Sequence, residues 1–89
     1  MSAIILRVIP DDFDAWRAAH ESCRAQRAGY GVSAEHLYRD VDRPEVALVQ
    51  LDTEDVQRTL RWFDSPEFRR AAAGVTVRER SMLVAVAGP

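Results

Sequence analysis

From Ile4 to Ile9 the chain is apolar except at Arg7, and Pro10 closes the run. So short and continuous a stretch predicts a strand buried on both faces. Asp11 and Asp12 then offer a helix N-cap, and Asp14 adds negative charge in the first turn, where the helix dipole favours it. Phe13, Trp16, Ala19, His20 and Cys23 recur at steps of three and four, the spacing of one helical face. Gly29, suited to a left-handed position after a helix, is expected to end it.

Between Ser33 and Val41 the period changes to two. Ala34, His36, Tyr38 and Asp40 share one face of a strand, and Glu35, Leu37, Arg39 and Val41 share the other. Asp42-Arg43-Pro44-Glu45 reads as a turn into a second apolar strand, Val46 to Leu51, so the two form a hairpin. Asp52 or Thr53 is expected to cap a helix whose inward stripe is Val56, Thr59, Leu60 and Phe63. Ser65-Pro66-Glu67 restarts the chain as a further short helix, with Ser at the N-cap, Pro at N1 and an acid at N2. Gly74 ends that helix, and Met82 to Val86 makes the last strand.

The order β-α-β-β-α-α-β, with the second helix broken at Ser65, predicts an α+β, ferredoxin-like split βαβ fold on a four-stranded antiparallel sheet. Residues 1–89 hold one domain, since a chain this short has no room for a second core. Helices cover one face of such a sheet, yet the strands carry aliphatic residues on both: Ile4, Leu6 and Val8 against Ile5 and Ile9, and Val46 and Leu48 against Ala47, Val49 and Leu51. A lone copy would expose a broad apolar patch. The pattern therefore predicts a homodimer that packs sheet against sheet.

Composition narrows the function classes. A single cysteine, Cys23, excludes an internal disulfide framework and a Cys-rich zinc site. The two histidines lie on different elements without a metal-ligand spacing, so no metal site is expected. Net charge is −2 and the arginines are dispersed, which is not the footprint of a nucleic-acid binder. All 12 basic residues are Arg, so Schiff-base chemistry on a lysine is ruled out. No apolar run is long enough to span a membrane, and the first residues lack the basic region of a signal peptide, so a cytoplasmic protein is expected.

The segment Gly31-Val32 … Leu37-Tyr38-Arg39-Asp40-Val41-Asp42-Arg43-Pro44-Glu45-Val46 resembles the core of the dimeric α/β-barrel superfamily, with its antibiotic-biosynthesis monooxygenase-like proteins and small polyketide "cyclases". Asp14-Ala15-Trp16 and Ser65-Pro66-Glu67-Phe68-Arg69 look like the same group, so the resemblance covers almost the whole chain. It implies a dimeric α/β barrel and a small aromatic or otherwise hydrophobic ligand. The superfamily also holds cofactor-free oxygenases, isomerases, haem-degrading enzymes and proteins without activity, so it does not fix the chemistry. The haem-degrading branch resembles itself through Asn, Trp and His; this chain has no Asn, and Arg7 stands where the strand Asn would lie. The expectation is a cofactor-independent enzyme for an aromatic or polyketide-like molecule, a cyclase in preference to a monooxygenase. The alternative is a non-catalytic ligand-binding or structural dimer.

His20 is the foremost candidate for acid-base work. It lies on the apolar stripe, one turn after Trp16 and one turn before Cys23, and its imidazole suits proton transfer near neutral pH. It needs a polar partner there: Tyr38, an Arg, a backbone carbonyl, water or a ligand. His36 and Tyr38 stand side by side on one strand face and could hold an enolate or phenolate oxygen, or else form a cross-strand or interface pair. Trp16, Trp62 and Phe63 offer flat apolar walls for a ligand, with Trp62 off the inward stripe of its helix and so at the edge of the core or exposed. Arg7 must meet a carboxylate, solvent or an anionic ligand.

Overall fold

The structure is a computed structural model, and residues 2–85 are described. Strand β1 (Ser2–Pro10) leads to helices α1 (Phe13–Ser22) and α2 (Arg24–Gly29), then to the hairpin strands β2 (Val32–Arg39) and β3 (Ala47–Thr53). Helix α3 (Val56–Leu60) runs through a 3-10 turn (Arg61–Asp64) to helix α4 (Pro66–Ala73), and strand β4 (Val77–Ala85) follows. The sheet order is β2-β3-β1-β4 with every neighbouring pair antiparallel. This is the ferredoxin-like arrangement expected from the order of elements. Among the described residues no helix is long and apolar enough to cross a membrane.

Several boundaries differ from the sequence reading for local physical reasons. The first helix is two helices, broken at Cys23. The Ser22 hydroxyl donates to the Ala19 carbonyl at 2.6 Å, a back-bond that competes with the helical ladder and bends it. Asp12 caps α1 by accepting from the Ala15 amide. The left-handed residue is Gly31, at φ 96°, rather than Gly29. A side chain at Gly31 would be strained by that φ and would stand against the hydroxyls of Thr53 and Thr59.

Strand β3 pairs with β1 as far as Ser2↔Thr53, so the cap of α3 moves to Asp55, whose carboxylate accepts from the Arg58 amide. Thr53 instead accepts from the Asp55 amide. Ser65 caps α4, its hydroxyl accepting from the Phe68 amide at 3.1 Å, with Pro66 at the first helical position. Strand β4 begins at Val77, five residues before the expected start. Its first half, Val77-Arg78-Glu79-Arg80-Ser81, is charged because it lies on a sheet edge, where charge discourages further strand pairing. Val86, the expected last strand residue, lies outside the described residues.

Alternation along the strands divides the sheet into two faces. Ile4, Leu6, Val8, Ala47, Val49 and Leu51 face the helices and, with Trp16 and Val32, form the core. Ile5, Arg7, His36, Tyr38, Leu48, Gln50, Asp52, Glu79, Ser81 and Leu83 lie on the opposite face. Tyr38 and Leu83 are exposed there, while Ile5 and Leu48 are half-buried.

Candidate active site

A cavity of about 190 Å³ lies between the helix-facing side of the sheet and the helices. Its walls are apolar: Leu6, Val8, Val49 and Leu51 from the strands, Trp16 from α1, and Trp62, Phe63 and Phe68 from the segment beyond α3. His20 and Arg27 reach its lining from α1 and α2, and Arg80 from β4. Apolar walls with a few convergent polar groups are the usual character of a small-molecule site.

The polar groups at one wall form a tight cluster. Arg27 donates to Glu35 through two bonds, Nε to Oε2 at 2.7 Å and Nη2 to Oε1 at 2.8 Å. The Nε2 of His20 lies 3.4 Å from Glu35 Oε1 and 3.3 Å from Arg27 Nη2. Side-chain exposure is 3% for Arg27, 10% for Glu35 and 11% for His20, so the cluster is nearly out of water. The two-pronged geometry is the strong form of a carboxylate–guanidinium pair, and such a charge pair needs it to survive burial. Burial alone would push the Glu35 carboxyl up. Hydrogen bonds from His20 and Arg27, with the charges of those two groups, more than offset it and hold the carboxyl at about 2.

The His20 ring is itself fixed. Trp16 stacks on it with centroids 5.3 Å apart and planes 14° from parallel. With Nε2 engaged, Nδ1 has no hydrogen-bond partner among the described residues, yet it is not among the buried unpartnered atoms. It is the ring nitrogen left without a protein partner, on a residue that lines the cavity.

Of the residues singled out in the sequence, His20, Trp16, Trp62 and Phe63 meet around this cavity. His36, Tyr38 and Arg7 are on the other side of the sheet and do not reach it. There His36 Nε2 lies 3.2 Å from Asp52 Oδ2, its side chain 46% exposed, and stacks loosely on Tyr38. The Gln50 amide donates to Asp52 at 2.8 Å and, with His36, holds that carboxyl below its ordinary value. Arg7 pairs with Glu79 at 3.0 Å.

Trp62 corrects the expectation of an edge or exposed position: it is 2% exposed, between Tyr30 and Phe68. The 3-10 turn winds at three residues per turn, so the buried line becomes Thr59, Trp62 and Ser65 instead of an α-helical stripe. Two residues of the cluster escaped the sequence reading. Arg27 continues the spacing Trp16, His20, Cys23 by another four residues, and Glu35 shares a strand face with Leu37. A charge at an inward position of each element was the available signal.

The fold matches that of known structures of the antibiotic biosynthesis monooxygenase type. One crystal structure of an antibiotic biosynthesis monooxygenase superposes with a TM-score of 0.75 at 14% identity, over 100% of both chains. SnoaB from Streptomyces nogalater, a cofactor-independent oxygenase, gives 0.73 at 16% identity over 98% of this chain and 94% of that one. Rv0793 from Mycobacterium tuberculosis gives 0.72 at 19% identity over 99% and 95%. No protein-family profile and no curated relative matches the sequence.

Proposed function

We propose that the protein is a cofactor-independent enzyme that takes a proton from a small aromatic or polyketide-like molecule bound in the cavity. The observation that carries this reading is His20, an imidazole on an apolar cavity wall with Nε2 held and Nδ1 without a partner among the described residues. A cavity of about 190 Å³ suits one aromatic ring, since roughly 150 Å³ admits benzene. A larger substrate would project from the mouth. Phe63 and Phe68 line the cavity beneath the Arg80 guanidinium, which has no carboxylate within 4 Å among the described residues. Arg80 is placed to meet a negatively charged substituent.

Removal of a phenolic or enolic proton leaves a nucleophile that can close a ring or react with oxygen. We favour ring closure, for which His20 would serve as the proton acceptor. The likeness to SnoaB supports oxygenation as the second reading, through the fold alone. We further propose that a second copy covers the open sheet face, with Ile5, Leu48, Tyr38 and Leu83 in the interface and His36 among them. Light scattering at micromolar concentration is expected to give about twice the chain mass, and a stable monomer would remove this element.

The chemistry is tested without knowing the substrate. Phenylacetone, a one-ring carbon acid, is incubated with the protein in D₂O, and loss of its benzylic proton signal is followed by NMR. His20→Gln is expected to lower the exchange rate about a hundredfold with the melting temperature kept. An unchanged rate would remove His20 from the chemistry.

A further inference from the structure

We propose that Glu35, steadied by Arg27, is a positioning residue: it accepts a hydrogen bond from Nε2–H of His20 and so leaves the Nδ1 lone pair facing the cavity. The inference rests on the reading of His20 as the proton acceptor and says which nitrogen accepts and what holds it.

Two proton arrangements of the neutral ring fit the distances. In one, Nε2–H faces Glu35 Oε1 across 3.4 Å, the long limit of a hydrogen bond. In the other, Nε2 accepts from Arg27 Nη2 at 3.3 Å, and the ring proton sits on Nδ1. The second cannot work as a base, since Nδ1 already carries hydrogen and the only lone pair is turned to a guanidinium. The first can take a proton from the cavity without the ring turning, and Trp16 stacked on one face opposes any turn. When it does, the O–H bond of a phenol breaks, an N–H bond forms at Nδ1, and the bonding pair stays on the phenolic oxygen. No electron changes hands.

Charge follows the same logic. With neutral His20, Arg27 and Glu35 cancel, and the cluster becomes +1 only when an anion has formed beside it. Arg27 keeps Glu35 ionised against burial, so a carboxylate is present to face the imidazolium. A salt bridge that merely joined α2 to β2 would not need His20 within reach of both partners.

The test uses 4-nitrophenol, whose phenolate absorbs in the visible, at a pH where the free phenol is mostly neutral. Occupancy is followed separately by quenching of tryptophan fluorescence. Wild-type protein is expected to show bound phenolate, His20→Gln none, and Glu35→Gln at least a tenfold reduction at equal occupancy. Glu35→Gln leaves Arg27 buried without a counter-charge and can fail to fold. The double variant Arg27→Met/Glu35→Leu removes both charges, and the same loss of phenolate is expected from it. In addition, ¹⁵N NMR of the wild type is expected to show the His20 proton on Nε2.

Equal phenolate in a folded Glu35 variant overturns the positioning role and leaves His20 as the base. Bound dye without phenolate in the wild type overturns both. Absence of binding overturns the cavity as the site for such phenols. A ring proton on Nδ1 overturns the proposal by itself.

Discussion

Two histidine–carboxylate pairs lie back to back across one sheet. His20 and Glu35 face the helices; His36 and Asp52 face away from them. Each pair joins an imidazole to a strand carboxylate at similar distance, 3.4 and 3.2 Å. Their surroundings differ. Arg27 grips Glu35 with two bonds, Trp16 immobilises His20, and a cavity opens beside the ring. Asp52 has only a neutral amide as its further partner, and His36 stands half in water. An imidazole beside a carboxylate is thus a common surface contact, and burial, a third charge and room for a ligand make one of the two a candidate for chemistry.

The largest contrast is expected in stability. Glu35→Ala leaves the Arg27 guanidinium buried and unpaired, at a cost of about 3–5 kcal/mol. Asp52→Ala removes a carboxylate paired only with a half-exposed imidazole and a neutral amide, and is expected to lower the urea midpoint by much less. Equal losses in urea denaturation would erase the distinction between the faces.

Acid sharpens the comparison next. The folded-state value of Glu35 is depressed from 4.5 to about 2, so its stabilisation is complete above pH 4.5 and is lost as pH falls toward 2. A shift of that size corresponds to about 3 kcal/mol. Arg27→Met/Glu35→Leu should flatten the acid limb of the stability curve. Asp52 is depressed too, through Gln50 and His36, so it acts in the same direction but without a buried guanidinium beside it. Asp52→Asn should leave most of the acid limb in place. A limb that vanished with Asp52→Asn and survived the double variant would reverse the assignment.

A neutral contact sets the scale for both. Ser65→Ala removes the hydroxyl that accepts from the Phe68 amide and is expected to cost about 1 kcal/mol in thermal or urea unfolding. A loss as large as that for Glu35→Ala would mean that the charged cluster is no more than an ordinary polar contact.

The order of elements, the Ser65 cap and the stripe carrying Trp16 and His20 were legible because local spacing and capping chemistry determine them. Arg27 and Glu35 were not. An arginine near a helix end and a glutamate in a strand each read as solvated when taken alone, and only the return of β2 beside α2 brings them together. The break at Cys23 depends on a hydroxyl rotamer, and the burial of Trp62 on a change from α to 3-10 winding; neither leaves a periodic signal. The early start of β4 was hidden by its charged edge. His36 and Tyr38 were correctly placed side by side, but which face they occupy relative to the cavity is a property of the folded sheet.

The most direct measurement compares deuterium exchange into phenylacetone for His20→Gln and His36→Gln, under one set of conditions and with both variants folded. The rate is expected to fall about a hundredfold with His20→Gln and to stay at the wild-type value with His36→Gln. Loss of exchange with His36→Gln and retention with His20→Gln would contradict it.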